Sequence, residues 1–170
     1  AGGAMAFSDV MLPEVAGKQL CWRMVEVKAS TSVKDYHRDD VAIQAYIALT
    51  AGVPLKSVAL AHIDSSWTYP GDDDYRGLLI ENDLTEEAFA RTAEVKGWIA
   101  QAQAVAAEGA EPDIRTGAHC NKPYACGFQE HCSRAEPQAE YPTHWLPYFG
   151  SKAEELARQG VIDLRDVPDD

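Results

Sequence analysis

The sequence predicts an α/β domain, a mixed sheet flanked by helices, followed by a compact module that carries cysteines. Three observations predict it. Residues 4–12 and 20–29 are rich in alternating and β-branched side chains, and a turn through residues 13–18 joins them as a hairpin. A helix-length segment, 38–51, separates them from a third, apolar run at 57–63. Downstream, Cys120, Cys126 and Cys132 fall in one short stretch with Pro and Gly between them.

Each element has a local reason. In 38–51, Asp39 and Asp40 sit in the first turn, where negative charge suits the helix dipole. Ile43, Tyr46, Ile47 and Leu49 supply an apolar stripe, and Gly52 with Pro54 supplies the stop. Residues 57–63 read as a buried strand. Residues 67–76, with Pro70, Gly71 and Asp72, read as a turn or loop. Residues 77–84 form a further strand. Thr85 is the expected N-cap of a helix with Glu86 and Glu87 in its first turn. That helix runs through an Ala-rich stretch to Ala107, is weakened at Gly97, and ends at Gly109. Residues 137–142 read as a linker. A short helix with Ala153 and Leu156 follows, then Gly160 and the apolar Val161, Ile162 and Leu164.

Composition bounds the function. At 170 residues and 46% hydrophobic content, the chain suits one soluble domain with a core. No apolar run is long enough to span a bilayer, and no signal-peptide pattern opens the chain. Four cysteines without an oxidative context point to the cytoplasm. The net charge of −12 argues against a strong nonspecific grip on DNA. Cations near the candidate site are few: Arg23, Lys28, Lys34 and Arg38. Either a longer protein supplies the basic surface, or the substrate is not long DNA.

The chemistry centres on Glu26, Val27 and Lys28. Strand side chains alternate, so Glu26 and Lys28 project from one face, and the hairpin brings Asp9 beside them. Two carboxylates can hold a hard divalent cation such as Mg²⁺. The lysine can orient or help deprotonate an attacking water and offset phosphate charge. A solvated ion pair between Glu26 and Lys28 is the plain alternative. The cysteines admit several readings as well. A disulfide would leave an odd thiol, so ligation of a metal or cluster is favoured. Zinc held by the three thiols with His119 or His131 is chemically sound. Cys21 reads as a small buried core residue. His62 reads as a satisfied core histidine, whereas His37 could reach the site or a phosphate. Trp67 and Tyr69 could stack on bases or cap a core.

These words resemble the PD-(D/E)xK nuclease superfamily. Asp9 falls at its metal-binding aspartate, and Glu26-Val27-Lys28 at its E-x-K. Gln44 on the following helix resembles the RecB-like branch, found also in CRISPR-associated nucleases. The usual spacing there is Gln-x-x-x-Tyr, and Tyr46 stands closer than that. The segments Val25 to Ala42, His62 to Asp72 and the cysteine stretch resemble a bacterial family. Its longer members join an iron–sulfur RecB-like domain to a C-terminal ribonuclease-H-like domain. The resemblance implies a restriction-endonuclease-like fold and cleavage of DNA, with RNA as the lesser alternative. It implies Mg²⁺ or Mn²⁺ on Asp9, Glu26 and the Val27 carbonyl, with Lys28 and Gln44 completing the catalytic set. It implies a 4Fe-4S cluster on Cys120, Cys126 and Cys132 plus an upstream cysteine that this chain does not include, so zinc or an incomplete site is expected here. Residues 1–116 are then the nuclease-like core without its N-terminal part, and 117–134 the cysteine segment. Residues 135–170 are a linker and a helix-hairpin-like segment leading to a further domain, or a plain helical joint. The chain reads as a fragment. A non-catalytic zinc- or cluster-binding interaction domain that keeps the fold is the rival function.

Overall fold

A computed structural model describes residues 2–145, 147–148 and 150–168. Two compact units divide the chain, Ala1–Gly109 and Ala110–Asp170. Among the described residues it is a mixed α/β protein with one four-stranded sheet and five α-helices.

The first unit begins with a hairpin. Strands β1 (Val10–Ala16) and β2 (Gln19–Lys28) are antiparallel, with Val10 opposite Val25 and Ala16 opposite Gln19. The expected strand at 4–12 and turn at 13–18 are both displaced toward the C-terminus. The turn needs only Gly17 and Lys18, because Gly17 takes the left-handed backbone (φ +66°) that tight turns require. Pro13 therefore lies inside β1, opposite Trp22. The strand tolerates it because β1 is at the sheet edge, where a missing N–H breaks no ladder bond.

Strand β2 then runs parallel to β3 (Leu55–Ile63), and helix α1 (Asp35–Thr50) makes the crossover between them. Strand β4 (Leu79–Asp83) pairs antiparallel with β3, which gives the order β1-β2-β3-β4. The two central strands have apolar residues on both faces, as buried parallel strands do. On one face, Met24, Val58 and Leu60 pack with Val41 and Ala45 of α1 and with Leu84 and Ala88. On the other, Val25, Ala59, Ala61 and Val27 form a smaller cluster. Burial of a side chain such as Leu60, fully enclosed here, contributes about 1.5–3 kcal/mol.

Helix α1 begins earlier than expected, at Asp35. His37 Nδ1 accepts the Lys34 backbone N–H (3.3 Å), which satisfies a donor at the helix start. Its buried face differs too. Val41, Ala45 and Gln44 turn inward, while Leu49 is exposed and Ile43 half-buried. Ile47 is buried as expected, but Val41 and Ala45, one turn apart, set the face that packs on the sheet, and Ile43 lies about half a turn away from it.

The single helix expected over 85–107 is two, α2 (Thr85–Ala90) and α3 (Thr92–Ala107). The Thr92 hydroxyl donates to the Phe89 carbonyl (2.8 Å), a local bond that competes with the helical ladder. Thr85 does not cap α2 with its side chain. Its hydroxyl oxygen accepts the Val58 N–H (3.0 Å) and so ties α2 to β3. Gly97 lies inside an unbroken α3. Cys21 is half-buried rather than fully buried, since it lies on β2 opposite Glu14 of the edge strand.

The second unit is built from short pieces. It holds helix α4 (Gln129–Arg134), helix α5 (Gly150–Arg158) and single 3₁₀ turns at Ala118–Asn121, Thr143–Trp145 and Leu164–Asp166. Ala153 and Leu156 of α5 are buried, as their spacing implies. Gly160 (φ +86°) then reverses the chain, and Pro142 bridges Asp163. After Gly160 the described residues contain one 3₁₀ turn and no second α-helix. No helix of the described residues is long and apolar enough to cross a membrane.

Candidate functional site

The C-terminal end of β2 gathers most of the candidate side chains. Continuing the β1–β2 register places Asp9 opposite Glu26. Asp9 precedes β1 and is exposed, and its Oδ2 accepts the Val27 N–H (2.8 Å). In a strand the N–H and C=O of one residue point to the same side, so the Val27 carbonyl faces the Asp9 side as well. The Glu26 and Lys28 side chains project from the sheet face covered by α1, where Lys28 meets Asp40.

Glu26 is buried at 5% exposure. The Lys28 ammonium donates to Glu26 Oε1 (2.6 Å) and to Asp40 Oδ2. Gln44 Nε2 donates to Asp40 Oδ1 (3.3 Å). Gln44 is also close enough to Glu26 to favour its ionised form, but Glu26 Oε2 and Gln44 Oε1 are buried with no hydrogen-bond partner among the described residues. A buried carboxylate oxygen without a donor costs free energy unless something occupies it.

The electrostatics follow from burial and from this bridge. Burial raises the Glu26 carboxyl above its usual range, and the Asp9 charge adds to that against the opposing pull of Lys28 and Gln44. For Lys28, burial alone would lower the pKa. Its hydrogen bonds to Asp40 and Glu26 outweigh burial and raise it. These bonds hold Lys28 as an ammonium beside the two carboxylates. Burial opposes ionisation of Asp40, yet the Lys28 and Gln44 hydrogen bonds hold its carboxyl below the ordinary value. His37 is buried, and burial with the nearby Lys28 and Lys34 charges keeps its ring neutral more readily than usual. His62 is opposite Lys28 on β3, with Nδ1 3.1 Å from the Ile63 carbonyl, as a satisfied buried histidine would be.

Sequence reasoning assigned Asp40 to the helix dipole and missed its place in the site. A signal existed. Asp40 stands one helical turn before Gln44, so the two share a helix face. Tyr46 is half-buried and has no described bond to the site residues.

The donor set is of the kind a hard divalent cation takes: two carboxylates and a backbone carbonyl, with Oε2 of Glu26 lacking any donor. Asp9, Glu26 and the Val27 carbonyl are the groups that would hold it.

The aromatic loop packs on itself. Trp67, Tyr69 and Tyr75 have ring centroids 5.3 to 6.2 Å apart. Trp67 Nε1 donates to the Arg76 carbonyl (3.0 Å), which anchors the loop.

The cysteine segment is arranged otherwise. Cys120 is buried, Cys132 half-buried and Cys126 exposed, and all are free thiols. The Cys126 N–H donates to the Cys120 carbonyl (2.7 Å). His131 Nε2 lies 2.7 Å from Glu111, and His119 is exposed. Among the described residues, no three His, Cys, Asp or Glu side chains converge as a metal or cluster site requires. The residues as placed do not form such a site.

No family model, curated protein or solved structure matches this chain.

Proposed function

We propose that the chain is a divalent-metal-dependent nuclease domain with a restriction-endonuclease-like fold of the RecB-like kind. It cleaves phosphodiester bonds, in DNA more than in RNA. The observation that carries this reading is the Asp9 carboxylate on the Val27 N–H, next along β2 from Glu26, with Lys28 bonded to Glu26. The site also lies at the carboxyl end of a parallel strand pair, where open α/β sheets bind ligands.

In this reading Asp9, Glu26 and the Val27 carbonyl hold Mg²⁺ or Mn²⁺, which when bound polarises a phosphate oxygen and acidifies water. The Lys28 ammonium orients the attacking water and offsets charge on the phosphate. Gln44 keeps the helix side of the site polar. For Cys120, Cys126 and Cys132 we propose ligation of an iron–sulfur cluster or zinc after the segment closes around it. Free thiols suit a reducing cytoplasm. Further domains of a longer chain would supply the cationic surface.

The test pairs calorimetric titration with Mn²⁺ and cleavage of a fluorescent oligonucleotide by the longest available chain. The expected result is Mn²⁺ uptake lost in Asp9→Ala, and cleavage lost in Lys28→Ala with uptake retained. Cleavage unchanged in both variants overturns the reading. The net charge of −12 favours the rival, a non-catalytic metal-binding interaction domain. Uptake of Mn²⁺ with no cleavage of any oligonucleotide would select it.

A further inference from the structure

We propose that Asp40 is a positioning residue. It retains the Lys28 ammonium when a divalent cation takes Glu26, so lysine and cation do not compete for one carboxylate. The inference rests on the nuclease reading and extends it to a residue outside the two-carboxylate set.

The argument is one of valence and space. Lys28 is bonded to Glu26 Oε1 and to Asp40 Oδ2 together. Glu26 offers one further oxygen, Oε2, buried and without a donor. A dication held on Oε2 would share the carboxylate with the ammonium, and like charges that near disfavour one another. Lys28 then has to leave Glu26. Its side chain is only 23% exposed, so it cannot simply move into water. Asp40 provides the alternative anchor. Gln44, one turn along α1, holds Asp40 Oδ1 and leaves Oδ2 for the lysine. Among the described residues no other carboxylate bonds Lys28. Of the other ionisable groups, Asp9 acts on Glu26 and His37 is within range of Lys28 and Asp40, while Lys34 and His62 act on His37. None of them is hydrogen-bonded to Lys28.

The arrangement thus has two settings. Without the cation, Lys28 neutralises Glu26. With it, Lys28 stays on Asp40 and remains beside Glu26. Without Asp40 the lysine has one anchor only, and the cation must displace it without compensation.

The test is a double-mutant cycle read by Mn²⁺ calorimetry, with circular dichroism to verify that each variant is folded. Asp40→Asn should weaken Mn²⁺ binding about tenfold, the size of one charge-assisted hydrogen bond. Asp40→Glu should restore it to within about threefold. In the Lys28→Met background, Asp40→Asn should change affinity by less than about threefold, because the competitor is gone. Equal losses in both backgrounds overturn the inference, since Asp40 would then act on the cation through space. So does wild-type affinity in Asp40→Asn. Either result leaves the nuclease reading standing. No Mn²⁺ uptake by the wild-type chain overturns both.

Discussion

The end of β2 and the cysteine segment both carry residues suited to metals, yet they are organised in opposite ways. At β2, Glu26, Lys28, Asp40 and Gln44 meet in a hydrogen-bonded set. In the cysteine segment, Cys120, Cys126 and Cys132 differ in burial and do not converge among the described residues. The difference lies in what positions the backbone. A four-stranded ladder and a packed helix fix β2 to within the geometry of their own hydrogen bonds. Cys120 sits in a 3₁₀ turn, Cys126 in the loop after it, and Cys132 in a six-residue helix with no buried side chain. A site on a rigid scaffold forms before its ligand arrives, whereas a site on irregular chain needs the ligand to order it.

The largest effect that can break this contrast is at Lys28. Lys28→Ala should reduce oligonucleotide cleavage by at least about a hundredfold, as loss of a charge-stabilising group does in other enzymes. Single-turnover kinetics at saturating Mn²⁺ check it. A small loss would mean that the preformed cluster is only an ion pair.

Packing comes next. Leu60→Ala, at a fully enclosed position on β3, should cost about 2–5 kcal/mol in denaturant unfolding. A cost below about 1 kcal/mol would show that the sheet is not the rigid half of the contrast.

The cysteine segment sharpens it from the other side. A longer chain that carries the upstream cysteine, prepared without oxygen, should hold iron and sulfide and be brown. Cys120→Ser with Cys126→Ser should be colourless. Colourless wild-type protein with stoichiometric zinc would keep the ligands and remove the cluster.

The pH dependence of Asp40 is subtler. Its carboxyl is depressed below the ordinary 3.8 by the Lys28 and Gln44 hydrogen bonds, despite burial. A depressed carboxyl stabilises the fold above that ordinary value and loses its contribution as pH falls through the folded-state value. Asp40→Asn should therefore be less stable than wild type at neutral pH, and the two should converge in acid. Glu26 has the opposite sign, because burial raises its carboxyl. Its ionised form costs stability as pH rises through the raised value, and Mn²⁺ affinity should increase over that same interval.

The smallest effect concerns DNA. At −12 the chain should bind duplex weakly at physiological salt, because it has few cations to release counterions. Salt-resistant binding in a fluorescence anisotropy titration would show a cationic surface that the net charge conceals.

The sequence by itself determined the order of the four strands and of α1 between β2 and β3, the face shared by Glu26 and Lys28, and the buried spacing of Ala153 and Leu156. These follow from alternation and helical period, which are local properties of the chain. The hairpin register was not local. Whether Pro13 sits in the turn or the strand depends on which residues pair with β2, and Gly17 settled it. Nor was the break between α2 and α3, which a single Thr92 hydroxyl bond accompanies. Asp40 is the clearest case. Sequence showed an acid near a helix start, which the dipole explains without a site. Only the approach of α1 to the end of β2 turned that acid onto Lys28, because a side chain's partner is chosen by where the neighbouring element lies.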